Sequence, residues 1–196
     1  MLGPANQEIL IRARADLRLG IPIVLEGKEN AAIIAPIEVL NESRLDELKV
    51  TDKNSFILIT KRRAQTLKCP IYDENFVRIA IGQFLKIASL KAIADPFLDL
   101  RNPLKGPFNT IRGKTLKLEN EALLLLKSAQ LLPAAIISKV ENGEYFANQH
   151  KLTCLTTEQL KEIALSPGDI ADAVSAGVPT IRAKSTQFHI FRPNIS

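Results

Sequence analysis

Tryptophan is absent from this chain of 196 residues, and aromatic residues make up only 5% of it. The hydrophobic core must therefore be aliphatic, and an apolar fraction of 46% is ample for one domain of this length. Two cysteines occur, Cys69 and Cys154, without a CxxC pair or the spacing of zinc ligands. This pattern excludes a disulfide-rich scaffold and favours free thiols in a reducing compartment.

Long apolar runs and a strong charge bias are also missing. No run is long enough to cross a membrane, and the first ten residues lack the basic and apolar regions of a secretory signal. We therefore expect a cytoplasmic protein without membrane association. The 26 basic and 21 acidic residues leave a net charge of only +5, and the basic residues are dispersed along the chain. Binding to nucleic acid is disfavoured for that reason.

The common catalytic and nucleotide-binding motifs are absent as well. The chain contains no GxGxxG, no GxxxxGKS/T, no HExxH and no GxSxG. His150 and His189 lie far apart in sequence, which favours ordinary histidines over metal ligands. Lys61, Arg62 and Arg63 could bind phosphate, because arginine offers a planar fork of donors. The simpler interpretation is a charged first turn of a helix that follows a strand, and both interpretations stay open.

Strand-like and helix-like segments alternate along the chain. Short β-branched runs predict strands, and the tight GKEN connection between the first two predicts a hairpin. We therefore predict an α/β (α+β) fold, with a mixed β-sheet and helices packed on it. The predicted strands are IPIVLE (21–26), AAIIA (31–35), FILIT (56–60), AAIISKV (134–140) and TCLT (153–156).

Helices are predicted in the segments between these strands. Asn6 can cap the first helix and Gly20 can end it, and Asn41 or Ser43 opens the second. The predicted helices cover 6–20, 41–50, 61–67, 120–132 with Pro133 as its stop, and a last one opened by a capping box from Thr156 to Gln159.

Two segments resist a simple assignment. The apolar positions of residues 77–94 fit the period of a strand as well as that of a helix. Residues 95–118 carry three prolines and two glycines, which predicts a long loop. Long loops in compact domains often carry function, so a site or a lid is expected there.

Four segments occur in order along the chain: GIPIVLEGKEN (20–30), ILITKRRAQTL (57–67), LLPAAIISKV (131–140) and YFANQHKLTCLTTEQL (145–160). Their order resembles 3,4-dihydroxy-2-butanone 4-phosphate synthase, a family that makes the four-carbon precursor of riboflavin from ribulose 5-phosphate. The resemblance runs from about residue 8 to about residue 163, and its last segment is the closest piece. It implies a synthase-like fold.

The residues that carry the synthase chemistry differ from the family pattern. In the family a REnEGD loop follows the first strand; its second Glu holds a divalent metal, and its Asp is among the catalytic acids. Here Lys28, Glu29 and Asn30 match the start of that loop, but Ala31 and Ile33 stand at the two acidic positions. A hard cation such as Mg²⁺ needs oxygen ligands, which these side chains lack. We expect AAIIA to be a strand buried on both faces, with no divalent metal beside it.

The other half of the family's metal site is a GHTEA motif at the start of an apolar helix. The matching stretch here is LENEA, with Glu119 at the position of the histidine and Glu121 retained. The family's RPGH segment, which is rich in phosphate and metal contacts, corresponds to DLRNPLKGPF without a histidine.

Candidate site residues follow from this resemblance. It implies that Glu29 and Glu121 are vestigial catalytic residues and that Glu119 is a metal ligand only in a chain that retains activity. No metal or other cofactor is expected otherwise, and Mg²⁺ or Mn²⁺ is expected if the chain is active. The candidates for contacts to a substrate phosphate are Arg62, Arg63 and Arg112.

The end of the chain carries a second resemblance. Residues 169–193 resemble the connection between a degenerate synthase-like domain and GTP cyclohydrolase II in some bacterial fused proteins. We therefore predict a synthase-like domain over 1–165 and an extension towards a missing cyclohydrolase domain over 166–196. Cys69 and Cys154 cannot form the cysteine-ligated zinc site of a cyclohydrolase, because their number and spacing are wrong.

Three functions stay open on these grounds. The first is a non-catalytic domain of riboflavin biosynthesis that forms a homodimer, as the synthases do, or supports a GTP cyclohydrolase II. The second is an active synthase that converts ribulose 5-phosphate. The third is a binder of phosphorylated ligands or nucleic acid that uses Arg12, Arg14, Arg18 and residues 61–63. The missing metal carboxylate favours the first, because the synthase reaction depends on the metal.

Overall fold

The structure is a computed structural model, and it describes residues 3–82, 86–113, 117–165, 170–178 and 186–193. The chain divides into two compact units, which span residues 1–161 and 162–196. Two short ranges lie outside the described residues: 83–85, in the segment that fits both periods, and 114–116, in the predicted loop. So do residues 166–169, 179–185 and 194–196 of the predicted C-terminal extension.

The first two strands form the predicted hairpin. Strand β1, Ile23–Glu26, pairs antiparallel with β2, Ala31–Pro36, so that Glu26 lies opposite Ala31. The connection closes with a hydrogen bond in which Gly27 N–H donates to the carbonyl of Asn30 at 2.7 Å. The tight GKEN connection predicted from the sequence is confirmed.

The strands of the first unit build one mixed sheet. Its order is β4-β3-β5-β2-β1-β6, in which β1 and β6 run parallel and the other neighbours run antiparallel. Helices accompany this sheet, which confirms the predicted α+β fold. The remaining strands are β3, Phe56–Thr60; β4, Phe76–Ala80; β5, Ala134–Val140; and β6, Cys154–Thr156.

The helices of the described chain alternate with these strands. They are α1, Asn6–Arg18; α2, Glu42–Thr51; α3, Lys61–Thr66; α4, Ile87–Ala94; α5, Lys117–Ser128; α6, Gly143–His150; and α7, Thr157–Leu165, with one 3₁₀ turn at Pro96–Leu98.

Several helix ends were predicted correctly. The side chain of Asn41 accepts a hydrogen bond from the backbone of Arg44 at 2.9 Å, which caps α2. Thr156 and Gln159 exchange side-chain and backbone hydrogen bonds of 2.9 and 3.2 Å, which is the predicted capping box. Gly20 follows α1 with a φ of 71°, a conformation that costs glycine little.

Other boundaries were predicted wrongly. Asn6 does not cap α1; Ala5 precedes the helix, and its N–H donates to the Glu8 carboxylate at 2.7 Å. Helix α5 ends at Ser128, well before Pro133, because Gln130 takes a φ of 61° and turns the chain. Helix α6 was not predicted.

Strand pairing settles the structure of the ambiguous segment, residues 77–94, and positions part of the predicted loop, residues 95–118. Residues 76–80 become β4 because they pair antiparallel with β3, and residues 87–94 become α4. In the predicted loop, Thr110 pairs with Ile79 as an isolated bridge, so that the loop runs alongside β4.

Aliphatic side chains build the core, as the scarcity of aromatic residues predicts. Both isolated cysteines are free thiols, Cys69 buried and Cys154 half-buried. Among the described residues, no helix combines the length and the apolar character that crossing a membrane requires. The largest fully buried side chains are Phe76, Leu17, Ile23, Leu25, Ile33, Ile34, Ile37, Leu40, Leu45, Ile57, Leu58 and Ile59.

The second unit contains an antiparallel strand pair. Strand β7, Ile170–Val178, pairs with β8, Thr186–Pro193, with a register shift between Asp172 and Val174. The sequence PTIRAKSTQFHIFRP, residues 179–193, predicts extended structure, and β8 confirms this prediction for residues 186–193. Residues 179–185 of that prediction lie outside the described residues.

Candidate functional site

The strand that replaces the acidic loop lies in the middle of the sheet. Strand β2 has β5 on one side and β1 on the other, and all of its residues are buried. Ala31 and Ile33 are 4% and 2% exposed, so neither position faces solvent. Because neighbouring side chains on a strand point to opposite faces, Ile33 and Ile34 fill both sides of the sheet. This confirms the strand buried on both faces that the sequence predicts.

The space beside Ala31 is already filled by the start of α6. A Cβ atom added to Gly143 would lie 2.9 Å from the Cβ of Ala31 and 3.1 Å from Cγ1 of Val24. Carbon atoms pack best at about 3.5–4.0 Å, so this close approach leaves no room for a side chain at position 143. A larger side chain at position 31 would crowd the start of α6, because Ala31 is buried against it.

The first candidate carboxylate, Glu29, lies on the exposed hairpin connection. Its neighbour Lys28 reaches Glu158 at the start of α7, with 3.5 Å between the ammonium and the carboxylate. Glu29 does not line the cavity that holds Glu119.

Glu119 is the buried carboxylate of the candidate set. Its side chain is 3% exposed, and Oε1 accepts a hydrogen bond from Nε of Arg78 at 3.0 Å. A carboxylate of Asp73 lies 3.7 Å from Nη1 of the same arginine. Burial raises the pKa of Glu119, and the Arg78 charge opposes that rise. Within the described residues, Oε2 of Glu119 is buried without a hydrogen-bond partner.

Glu121 lies two residues further along α5, and its Oε1 is 3.7 Å from the ammonium of Lys161. Residues two apart on a helix do not share a face. Glu119 and Glu121 therefore serve different partners and do not form a pair of carboxylates that could share one proton or one metal ion.

Arg63 holds the chain after α4 in place. Its guanidinium donates to both oxygens of Asp99 at 2.6 and 2.7 Å, and to the carbonyls of Ile93 and Ala92 at 2.7 and 3.1 Å. Lys105 contacts the same Asp99 carboxylate. At 8% exposure, Arg63 is engaged inside the protein rather than presented to a ligand.

The two other candidate arginines are exposed. Arg62 lies with Arg63 and Thr66 beside a cleft of about 330 Å³. Arg112 stacks on Tyr72, with its guanidinium carbon 4.1 Å from the ring centroid. A hydrogen bond from Arg112 lowers the pKa of Tyr72. Contact of Arg62 and Arg112 with a phosphate remains a prediction.

A cavity of about 460 Å³ gathers most of the charged side chains of this region. It lies where β3 begins and where β4 and β5 end, since β3 runs antiparallel to both. Among the described residues, four of those that line it are cationic, and Glu119 is the acidic one. The lining residues that matter for its chemistry are Lys53, Ser55, Arg78, Arg112, Glu119 and Lys139.

Three residues of this cavity were missed by sequence reasoning. Lys53 and Lys139 are ordinary exposed lysines by pattern, and only the pairing of distant strands brings them together. Arg78 did carry a signal, because an arginine inside the apolar run FVRIAI needs a buried partner. That partner, Glu119, comes from a helix 41 residues later.

The donor set does not fit a divalent metal. Positions 31 and 33 carry no oxygen, and one oxygen of Glu119 is engaged by Arg78. Lysines and arginines line the same cavity, and their positive charges repel a cation. Across the described ranges, no group of three or more histidine, cysteine, aspartate or glutamate residues is arranged to hold a metal ion.

Comparison with solved structures identifies the fold. A two-domain 3,4-dihydroxy-2-butanone 4-phosphate synthase from A. baumannii, RibBX, matches with a TM-score of 0.60 and 14% identity over 94% of this chain. The synthase from Candida albicans matches with a TM-score of 0.59 and 15% identity, over 79% of this chain and 96% of its own. A synthase in complex with two magnesium ions gives 0.56 and 14%, over 79% of this chain and 95% of its own.

The chain therefore has the dihydroxybutanone phosphate synthase fold, as the resemblance in the sequence predicts. It spans 66% of the length of the two-domain structure. No protein-family model and no curated protein matches the sequence. At identities of 14–15%, the likeness concerns the fold, and the activity has to be argued from the residues.

Proposed function

We propose that this chain is a degenerate, non-catalytic domain of riboflavin biosynthesis that acts in the cytoplasm. The observation that carries the proposal is the packing at Ala31, where the start of α6 lies close against a buried alanine at the position of the family's metal-binding carboxylate. The ion pair between Glu119 and Arg78 supports it, because it engages the carboxylate at the position of the family's histidine.

The synthase reaction explains why the alanine at position 31 and the ion pair of Glu119 with Arg78 both matter. The synthase reaction, as the family resemblance implies it, moves protons on a sugar phosphate whose oxygens a metal holds. Loss of a general acid or base alone lowers a rate by about 10² to 10⁴. Loss of electrostatic stabilisation of the developing charge adds a cost of several kcal/mol. Glu29 on its exposed loop cannot supply both contributions.

The test is incubation of the purified protein with ribulose 5-phosphate and Mg²⁺, followed by measurement of formate. We expect no formate above the level of a protein-free control, whereas a single-domain synthase assayed in parallel releases it. Repeated turnover by this chain would overturn the proposal in favour of an active synthase with rearranged ligands. Glu119→Gln and Glu29→Gln would then identify the groups that carry the activity.

The partner in this proposal is a second copy of the chain, a GTP cyclohydrolase II, or both. The likeness of residues 169–193 to the connection in fused proteins supports the cyclohydrolase. The match to a two-domain synthase structure also extends over 94% of this chain, whereas the match to the Candida albicans synthase extends over 79%.

Exposed apolar side chains support self-association. Phe97, Leu100 and Leu104 are 91%, 95% and 96% exposed within one stretch of eight residues. Such a cluster on a protein surface is typical of an interaction site. The homodimer expected from the family therefore has a candidate contact surface in this segment, called the apolar segment below.

A further inference from the structure

We propose that the groove between helices α2 and α6 binds an uncharged, planar heteroaromatic ring that carries an N–H group and a carbonyl on one edge. The groove encloses a cavity of about 750 Å³, which is within the range of small-molecule sites. The described residues that line it include none of those that line the cavity of Glu119. The inference goes beyond the proposed function, because it assigns a ligand to a domain for which no turnover is expected.

The floor of the groove is apolar, and one wall is aromatic. Pro22 and Leu48 are buried, and Leu152 is half-buried. On the α6 wall, Phe146 and His150 stack with their ring centroids 4.2 Å apart and an angle of 25° between the ring planes. His150 is the more exposed of the two rings, so its imidazole has surface available for a further ring. Because aromatic groups pack best in offset stacks, this wall selects a flat ligand.

The charges around the groove nearly cancel. In the lining, Arg44 and Lys151 balance Asp46 and Glu47, and Lys49, outside the lining, lies 3.4 Å from the Asp46 carboxylate. An anion and a cation both gain little Coulomb energy from such a balanced set of charges. The groove therefore favours an uncharged ligand.

Two of the charged side chains at the rim are left for a ligand. Within the described part of the chain, the carboxylate of Glu47 and the ammonium of Lys151 have no hydrogen bond or ion pair. A carboxylate only accepts hydrogen bonds, and an ammonium only donates them. A ring edge with an N–H beside a carbonyl satisfies both, since the N–H donates to Glu47 and the carbonyl accepts from Lys151. Such charge-assisted hydrogen bonds are stronger than neutral ones.

Both walls are held in place by the protein itself. Nη1 of Arg44 donates to the carbonyl of Gly20 at 2.6 Å, which ties α2 to the chain before β1. At the end of α6, Lys151 takes a φ of 55°, and the N–H of Leu152 donates to the carbonyl of Ala147 at 2.9 Å. The rim is therefore assembled before a ligand arrives, which lowers the entropy cost of binding.

The test is an NMR titration of the ¹⁵N-labelled full chain with riboflavin and, separately, with inosine. The two compounds differ in ring size and share the edge with an N–H beside a carbonyl. Riboflavin is the end product of the pathway in the proposed function, and inosine makes the test independent of that function. We expect amide shifts at residues 47–51 and 146–152 with both compounds, and none with ribitol or ribose, which lack the ring.

Two variants separate the contacts. His150→Ala removes the stacking surface and Glu47→Gln removes the charged acceptor, so each should bind riboflavin about fivefold more weakly or worse. Asn148→Ala changes an exposed residue of α6 outside the lining and should bind as the wild type does. All three side chains are exposed, so the fold is expected to survive, and the amide spectrum of each variant checks this.

Three results would overturn the inference: shifts with neither ring compound, shifts with ribitol or ribose, or a His150→Ala variant that binds as tightly as the wild type. Shifts with one ring compound alone keep the site and restrict the ring size that fits it. The formate measurement is separate from this titration. Absence of binding without turnover removes the site alone, and binding with turnover keeps the site while it removes the non-catalytic function.

Discussion

Ala31 and Gly143 meet at the point where the hairpin and helix α6 touch. The two smallest residue types lie against each other here. A Cβ atom added to Gly143 would lie 2.9 Å from the Cβ of Ala31. Both residues are buried, so neither can turn a larger side chain towards solvent. The small size of these two residues therefore limits which side chains can occupy this end of the hairpin.

We expect Ala31→Glu to destabilise the protein rather than to create a metal site. The change adds volume to a closed contact and buries a carboxylate without a partner, which together cost about 3 kcal/mol or more. Urea denaturation measures the loss, and added Mg²⁺ should not recover it. Glu29→Ala, on the exposed connection two residues away, should change the stability by less than about 0.5 kcal/mol. An Ala31→Glu protein of normal stability that Mg²⁺ stabilises further would contradict this packing argument.

At the scale of elements, Arg63 joins three parts of the chain. It belongs to α3, its carbonyl partners end α4, and Asp99 follows the 3₁₀ turn. The hydrogen bonds and charge of Arg63 hold the pKa of Asp99 well below its ordinary value. Since the folded-state pKa is lowered, the stabilisation is present above the unfolded pKa of about 3.9 and is lost as the pH falls below it.

The prediction for this ion pair concerns the variant Asp99→Asn. At pH 7 the variant should lose about 3 kcal/mol, because it leaves the Arg63 charge buried without its partner. Between pH 5 and pH 3 the wild type should lose more stability than the variant, in which no carboxylate remains to be protonated. Urea denaturation across this pH range gives both numbers. Asp46→Asn, which removes the exposed partner of Lys49, is the control and should behave as the wild type; equal acid sensitivity of all three proteins would refute the assignment.

Local patterns predicted the hairpin, five of the six strands of the sheet and the helix caps at Asn41 and Thr156, because those elements are specified by neighbouring residues. Helix α6 escaped prediction because it is only eight residues long and begins with Gly143, a residue that disfavours helices. The segment of two possible periods was settled by pairing between β3 and β4, which local sequence does not encode.

The cavity that holds Glu119 was harder to predict from the sequence than the fold was. Its charged residues come from positions 53, 78, 112, 119 and 139, and only the completed sheet brings them together. The family resemblance pointed to Glu119 and named Arg112 among phosphate candidates. It did not identify Lys53 and Lys139, because the resemblance points to a site for a metal cation, which needs acidic ligands, whereas the described residues that line the cavity are mostly basic.

For the whole molecule, the main expectation is self-association through the apolar segment. Static light scattering at tens of micromolar should give the mass of a dimer, and Leu100→Ser/Leu104→Ser should give that of a monomer because it removes exposed apolar area. Val50→Ser, which removes an apolar side chain 83% exposed elsewhere, is the matched control and should stay dimeric. A wild-type monomer would contradict self-association. The same mass measurement after addition of GTP cyclohydrolase II tests the second partner, because a complex has a larger mass than either protein alone.

The ion pair of Arg63 and Asp99 also bears on how quickly this surface can find a partner. Because it anchors the backbone on which Phe97, Leu100 and Leu104 lie, much of their freedom is given up when the chain folds. Less ordering then remains for the encounter itself, and association needs no slow rearrangement of the segment. We expect a rate constant in the ordinary range for preformed surfaces, about 10⁵–10⁷ M⁻¹s⁻¹, and a slower one when the anchor is removed.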